Sequence, residues 1–225
     1  MKNILLKVEN LAKAFTPGEM IWQNVNFDLA QGDFLYILGG SGAGKSSLLR
    51  TVASFEQPTS GQVYCQGVNF QNSSHADLMR SRKRISFIPQ NLGLIPDLTL
   101  RDHIEITQLS LPLMDRVDNA TMQNYLQLMG LKDKWNKPVS IFSGGEKQRV
   151  AILRALSKKC DLLIADEPTG AQDFEMTWKL MDLFVKLNLS GTTMLLATHD
   201  LEMVRRLRKR CAILRDGTFK VEDRV

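Results

Sequence analysis

No stretch of this chain approaches the roughly 18–20 consecutive apolar residues needed to cross a bilayer, so nothing in it reads as a transmembrane helix. Cysteine is scarce. Cys65, Cys160 and Cys211 lie far apart with no C-x-x-C pair, which argues against a disulfide framework and a zinc site and suits a reducing compartment. Aromatic residues make up only 7%, and none interleaves with the basic clusters Arg80-Ser-Arg-Lys-Arg84 and Arg205-Arg-Leu-Arg-Lys-Arg210. The formal charge of +5 therefore does not point to nucleic acid; a solvated basic face, or attraction to an anionic leaflet or acidic partner, accounts for it. Sustained heptads are missing, which excludes a coiled coil. The opening Met1–Glu9 has too short an apolar stretch for a secretory signal and reads as a first strand. What remains is 225 residues, 44% of them hydrophobic, enough for one large α/β domain with a smaller lobe.

Two segments carry most of the chemistry. Phe34–Leu38 reads as a buried strand, Gly39-Gly-Ser-Gly-Ala-Gly-Lys-Ser46 follows at once, and Ser47–Ala53 reads as a helix. Strand, glycine loop and helix together form a phosphate cradle. Backbone N–H groups of Gly39, Gly40, Ser41, Gly42, Ala43 and Gly44 can turn inward around phosphates, the helix N-terminus adds partial positive charge, and Lys45 supplies a full one. The Ser46 hydroxyl can ligate Mg²⁺, with Ser47 beside it. The second segment, Asp161-Leu-Leu-Ile-Ala-Asp-Glu-Pro-Thr-Gly170, is an apolar strand ending in two acids. Side chains alternate along a strand, so Asp166 and Glu167 should have different roles: Asp166 holding the metal, Glu167 orienting and polarising an attacking water.

A third segment, Phe142-Ser-Gly-Gly-Glu-Lys-Gln148, runs into an apolar-periodic stretch. Ser143-x-x-Glu146 fits a capping box, and Gly144 and Gly145 expose backbone amides at the same helix N-terminus, which suits a second anion-binding surface. One chain has no need of two such surfaces for one nucleotide.

With these motifs in this order, the chain resembles the nucleotide-binding subunits of ATP-binding-cassette (ABC) systems. The resemblance covers essentially its whole length and implies an ATPase with ATP and Mg²⁺ as cofactors. It further implies a homodimer in the ATP-bound state, in which Ser143, Gly144, Gly145 and Glu146 of one copy close over the γ-phosphate held by Lys45 of the other. Phe15 stands where the family stacks an aromatic on adenine. Gln90, in Ile88-Pro-Gln, is similar to the switch glutamine that reaches Mg²⁺ and the attacking water. Asp173 resembles the cross-dimer aspartate and His199 the histidine at the γ-phosphate. Several residues depart from the pattern: Phe142 replaces the commoner Leu, Glu146 the commoner Gln, Ser47 the usual Thr, and Ala171-Gln172 a more typical Asn-Leu or Ala-Leu. None removes a group needed for chemistry, but Gln172 sits in the dimer-crossing loop and puts cooperativity between the sites in question.

The coarse architecture is α/β. Strands near Leu5–Val8, Asn24–Leu29 and Gly61–Cys65, separated by turns at Thr16-Pro-Gly18 and Gln31-Gly-Asp33, suggest an antiparallel β lobe. Strands at Phe34–Leu38, Ile85–Ile88, Leu162–Ala165 and Met194–Thr198 should form a mainly parallel core sheet with crossover helices. Helical patterns at Thr99–Leu109 and Asn119–Met129 mark a helical subdomain over about 91–142 within a single domain, 1–225. Leu201, Val204 and Leu207 predict an amphipathic helix carrying the basic cluster 205–210.

Only about fifty residues separate Gln90 from Ser143 and no second phosphate loop exists, which sets aside the repair ATPases and the two-cassette translation factors. A transporter-type subunit remains, lodged at the cytoplasmic face of the inner membrane through a separate integral membrane partner. Within that class, Ala165–Gly170 resembles the group of FtsE, LolD and MacB. Phe142–Glu146, Thr193–Asp200 and Val204–Arg206 resemble FtsE most, implying an FtsX-like partner and signalling to cell-wall hydrolases in division. A LolD- or MacB-like release or export pump, and a mainly structural ATP-binding recruitment module, are the alternatives.

Overall fold

The computed structural model describes residues 3–16 and 18–222. Two sheets organise them. Strands β1 (Ile4–Thr16), β2 (Glu19–Ala30), β4 (Ser60–Cys65) and β5 (Val68–Asn69) form an antiparallel sheet in the order β2-β1-β4-β5. Strands β3 (Phe34–Leu38), β6 (Ile85–Ile88), β7 (Leu162–Asp166), β8 (Thr193–Thr198), β9 (Arg210–Arg215) and β10 (Thr218–Glu222) form the second, in the order β10-β9-β3-β8-β7-β6. All its pairings are parallel except the β9–β10 hairpin. The helices are α1 (Lys45–Val52), α2 (His75–Lys83), α3 (Leu100–Leu109), α4 (Asn119–Leu128), α5 (Gly144–Leu156), α6 (Phe174–Leu189) and α7 (Leu201–Leu207).

The central strands are apolar at nearly every position because both faces are covered. Phe34, Tyr36 and Leu38 of β3, Leu163 and Ala165 of β7, and Met194 and Leu196 of β8 point into one core, with apolar residues of α3, α4, α5 and α6. Their alternate neighbours Leu35, Ile37, Leu162, Ile164, Leu195 and Ala197 point into a second core shared with α1 and the antiparallel lobe. The period of two thus makes the parallel sheet a partition between two hydrophobic layers. The lobe is tied to the sheet edge by Gln23 N–H, which donates to the Gly217 carbonyl.

The anticipated strands are present, and β1 and β2 run much longer than Leu5–Val8 and Asn24–Leu29. Their alternation is broken by bulges around Asn10 and Asn24, both at positive φ, which hides the continuity from a simple pattern. Pro17 of the connecting turn, and Met1 and Lys2 of the first-strand reading, lie outside the described residues.

One helix expectation is corrected. The run 205–210 is not one helix: α7 stops at Leu207, Arg208 is left-handed at the C-cap (φ 49°), and Arg210 begins β9. Leu201, expected on the buried face, is half exposed, while Met203 and Val204 are buried. The other cluster, 80–84, straddles the end of α2, where cations suit the helix dipole. There Arg84 forms a fork with Asp161 (2.6 and 2.8 Å).

Gly61 is where the lobe leaves least room. Its φ is +87°, and an added Cβ would lie 2.3 Å from the Asn10 carbonyl oxygen and 2.5 Å from Leu11 Cα, both backbone atoms. Gly61→Ala should lower unfolding free energy by about 2–4 kcal/mol in urea titrations. Gly32→Ala, also at positive φ but with open space around it, should cost only about 1–2 kcal/mol.

Candidate nucleotide-binding site

The parallel strands end in register: Leu38 pairs with Thr198, Asp166 with Ala197, and Ile88 with Ala165. The residues that follow them, Gly39–Lys45, Glu167, His199 and Gln90, therefore emerge along one carboxyl edge, where open α/β sheets place their ligand sites. All of these except Gly39 line an open cleft of about 1210 Å³ together with Phe15, Glu19, Ile21, Arg50 and Asp166. That exceeds the usual volume of a single small-molecule pocket, roughly 300–1,000 Å³.

The phosphate loop is packed, not merely flexible. A Cβ on Gly39 would meet the Leu214 carbonyl at 2.5 Å, and one on Gly44 would meet Ile21 at 2.5 Å and Trp22 at 2.8 Å. Gly44 is itself the left-handed N-cap of α1 (φ 92°), so the first amides of α1 have no side-chain cap and are free for an anion. Lys45 folds back over the loop, donating to the carbonyls of Gly39 (2.7 Å) and Gly40 (3.2 Å). Its Nζ lies 3.6 Å from Glu167 Oε1.

The two acids diverge as strand geometry requires. Asp166 is buried, and its Oδ1 has no hydrogen-bond partner. Burial pushes its carboxyl above the usual range; the Ser46 hydroxyl and Lys45 pull the other way, and the adjacent Glu167 adds to the rise. Ser46 also donates toward Gln90 Oε1 across 3.4 Å. An orphaned carboxylate oxygen, a hydroxyl and a carboxamide oxygen form a hard-oxygen donor set, which fits Mg²⁺.

Glu167 leaves the strand in a left-handed conformation (φ 50°), with its N–H donating to the Ala197 carbonyl (3.0 Å). His199 Nδ1 stands 2.9 Å from Glu167 Oε1, while the imidazole is largely exposed to the cleft. The carboxylate is thus held between an imidazole and an ammonium at the mouth of the phosphate loop.

Gln148 is a residue that sequence reasoning quoted without giving it a role. Its Nε2 donates to the Glu167 carbonyl (2.7 Å), and its Oε1 accepts from Ala171 N–H (3.0 Å). It therefore clamps the loop following β7 from a buried position on α5, and nothing in its spacing signals that role. Arg154, one turn and a half further along α5, was also passed over. It donates to the carbonyls of Leu92 and Gly93 (2.6 Å each), holding the segment after Gln90, and burial lowers its pKa.

The remaining expected residues are distributed unevenly. Phe15 lies at the cleft, 80% exposed, as do Ser41, Gly42, Ala43, Ser47 and Gly144. Ser143 caps α5 with Glu146 in a reciprocal capping box, and Glu146 also pairs with Lys134. Asp173 caps α6. Ser143, Gly145, Glu146 and Asp173 do not line the cleft of their own chain.

The cost of the buried Asp166 charge yields a prediction with two signs. Its raised pKa means that folding carries a penalty at pH values above that pKa, relieved as the pH falls through it. Asp166→Asn should raise the ligand-free Tm at neutral pH, by about 2–4 °C for each kcal/mol relieved. The same change should weaken the Mg²⁺-dependent gain in Tm with nucleotide, both readable by scanning fluorimetry.

Comparison with known proteins agrees with this geometry. Residues 22–170 match the model of the ABC transporter family. The chain is 36% identical to the lipoprotein-releasing system ATP-binding protein LolD of Aquifex aeolicus, covering 95% of each chain. It is 33% identical to the cell division ATP-binding protein FtsE of Haemophilus influenzae, covering 96% of this chain and 100% of that one. It is also 36% identical to the methionine import ATP-binding protein MetN of Ligilactobacillus salivarius, covering 96% of this chain but spanning only 64% of that longer protein. Among solved structures, the dimeric ATP-binding cassette MJ0796 of Methanocaldococcus jannaschii, in a post-hydrolysis state with ADP and Pi, superposes with a TM-score of 0.85. That match has 30% identity and covers 96% of this chain and 98% of that one. With the phosphate loop, the paired acids and the capping glycines all within one cassette fold, the chain belongs to the ABC transporter family, as one of its ATPase subunits.

Proposed function

We propose that two copies of this chain close around two ATP molecules and hydrolyse them, driving a separate integral membrane partner. The observation that carries this reading is the partition of its polar groups. Lys45, Glu167 and His199 gather at one cleft, which Gly144 also lines, whereas Ser143, Gly145 and Asp173 are outside its lining. A second copy supplies what the cleft lacks.

In this assignment Lys45 and the amides of Gly39–Ser46 hold the β- and γ-phosphates, Phe15 stacks on adenine, and Ser47 flanks the loop. Ser46, Gln90 and Asp166 would hold Mg²⁺, which supplies positive charge to the phosphate oxygens when bound. Glu167 orients the attacking water and His199 contacts the γ-phosphate. Glu167 stands 3.6 Å from Lys45 and 2.9 Å from His199. Phosphate entering the loop competes for Lys45 and His199 and frees the carboxylate for water. Ser143, Gly144, Gly145 and Glu146, with Asp173, form the surface presented to the partner copy's nucleotide. The whole chain, 1–225, acts as a single domain, and residues 91–142, containing α3 and α4, act as a helical subdomain between Gln90 and Ser143 that transmits closure.

The output we propose is FtsE-like: dimer closure signals through an FtsX-like membrane protein at the cytoplasmic face of the inner membrane to regulate cell-wall hydrolysis in division. Full coverage of the Haemophilus influenzae relative supports it, as do the runs Phe142–Glu146 and Thr193–Asp200. The 36% identity to LolD over nearly the whole of both chains favours a second reading, lipoprotein release or export, with the same chemistry. Glu167 and His199 in contact argue against a purely structural recruitment module.

Glu167→Gln should cut turnover by at least about 100-fold while preserving ATP binding, and should elute as a dimer with ATP in size-exclusion chromatography. Near-normal turnover would remove Glu167 from its role. Affinity capture of the same variant from native membranes decides the output. An FtsX-like protein with cell-wall factors supports the division reading, and a lipoprotein-release or export permease replaces it.

A further inference from the structure

The two ends of the cleft belong to different parts of the fold: Ser47 and Arg50 stand on α1, Phe15 on β1 of the antiparallel lobe. Residues 56–59 touch both. The chain reverses after α1 at Ser54, which has a positive φ (63°), and the N–H groups of Phe55 and Glu56 both donate to the Arg50 carbonyl (2.8 and 3.3 Å). That turn lays the Glu56 carboxylate against α1, where it accepts from Arg50 Nε and from the Ser47 hydroxyl (3.3 Å). Glu56 Oε2 also lies 3.6 Å from Lys13 Nζ on β1, and the same ammonium donates to the Gln57 carbonyl (2.6 Å). Thr59 completes the join: its N–H donates to the Ala12 carbonyl (2.8 Å), and its Oγ1 accepts from Ala14 N–H (2.9 Å). The β1 ends of these bonds, Ala12, Lys13 and Ala14, run straight up to Phe15. Burial would push the Glu56 carboxyl up, but the hydrogen bond from Arg50 and the charges of Arg50 and Lys13 hold it below the usual carboxylate range. Neither Lys13 nor Glu56 lines the cleft itself.

We infer that Glu56, paired with Lys13, is a positioning residue that fixes the span between the phosphate loop and the Phe15 ring, and so sets the affinity for the nucleoside end of ATP. The inference rests on the stacking of adenine on Phe15 proposed above. Phe15 is largely exposed, so its ring has little packing of its own and stands where the β1 backbone puts it. The phosphates are held at the other end, by the loop that opens α1. A nucleotide is one covalent ligand that must reach both places, and it gains both attachments only where they are held at a matching distance. Slack in that span weakens the second attachment without altering the first. Turnover depends on the phosphate end, where Lys45, Glu167 and His199 meet, so a change of span acts on binding rather than on the chemical step. A partly exposed ion pair adds little to folding stability, which leaves its effect to appear in nucleotide affinity.

The test measures steady-state ATPase against MgATP concentration on purified wild type, Glu56→Ala, Lys13→Met and Phe15→Ala. Inorganic tripolyphosphate serves as a competitor that lacks the nucleoside, and Tm as a folding check. Glu56→Ala and Lys13→Met should each raise the ATP half-saturation about 3- to 10-fold, with kcat within about twofold of wild type. Inhibition by tripolyphosphate should change less than about twofold, since that ligand needs the loop alone. The two variants alter net charge in opposite directions, so a general electrostatic effect on an anionic ligand would move them oppositely and would overturn the inference. Phe15→Ala should raise half-saturation about 5- to 150-fold, the worth of a base stacked on an aromatic ring. Adding Glu56→Ala to Phe15→Ala should then cost nothing further, because Glu56 acts through that ring. Full additivity in the double variant, unchanged half-saturation in both single variants, or equal weakening of ATP and tripolyphosphate would each overturn the inference. Should Glu56→Ala fail to fold, Lys13→Met carries the same test, alone and combined with Phe15→Ala. If Phe15→Ala takes up ATP as wild type does, the stacking reading fails and the inference with it; if Phe15→Ala weakens ATP and the other two variants do not, the inference alone falls.

Discussion

Two carboxylates sit side by side where a buried strand ends, and the burial of the first, Asp166, is the constraint the polar groups around them answer. Asp166 is sealed in the sheet with an unpartnered oxygen, and burial alone disfavours its charge. Glu167 escapes by turning into a left-handed conformation that carries its carboxylate toward Lys45 and His199. The backbone that makes this turn is held by the Ala197 carbonyl on one side and Gln148 on the other. The fold's contribution is the register of β3, β6, β7 and β8, which puts every participant at one edge.

Much of this was legible in the sequence because its signals are local. The glycine loop carries its strand and helix with it, and all three elements stand where the pattern put them. The capping box at Ser143 and Glu146 is likewise a short-range device, and both of its bonds are made. The apolar runs of β7 and β8 read correctly as buried strands because a parallel sheet needs both faces covered.

What was not legible depends on distant partners or on signals that compete. Asp216 and Gly217, both at positive φ, make the tight turn joining β9 to β10, and Asp-Gly is a strong hairpin cue. The basic run before it carries a three-residue apolar spacing, and that helical cue masks both the end of α7 and the start of β9. The bulges at Asn10 and Asn24 similarly break the alternation of two long strands into shorter apparent pieces. The role of Gln148 could not be read from spacing at all, since it acts on a backbone group 19 residues away. Nor does sequence order tell that Ser143 and Asp173 stand outside the cleft that contains Lys45. That separation is a property of the folded edge, and the proposed two-chain ATP site rests on it.

The most direct test of that claim is complementation between two inactive chains. Lys45→Ala removes the phosphate-loop cation and Ser143→Ala removes a group assigned to the partner's nucleotide. Each variant alone should have negligible ATPase activity. Mixing them produces some dimers in which an intact Lys45 from one chain faces an intact Ser143 from the other, so activity should return in proportion to mixed dimers. If the mixture stays as inactive as its components, although both variants fold and the mixed dimer is seen by mass spectrometry, the composite site is wrong.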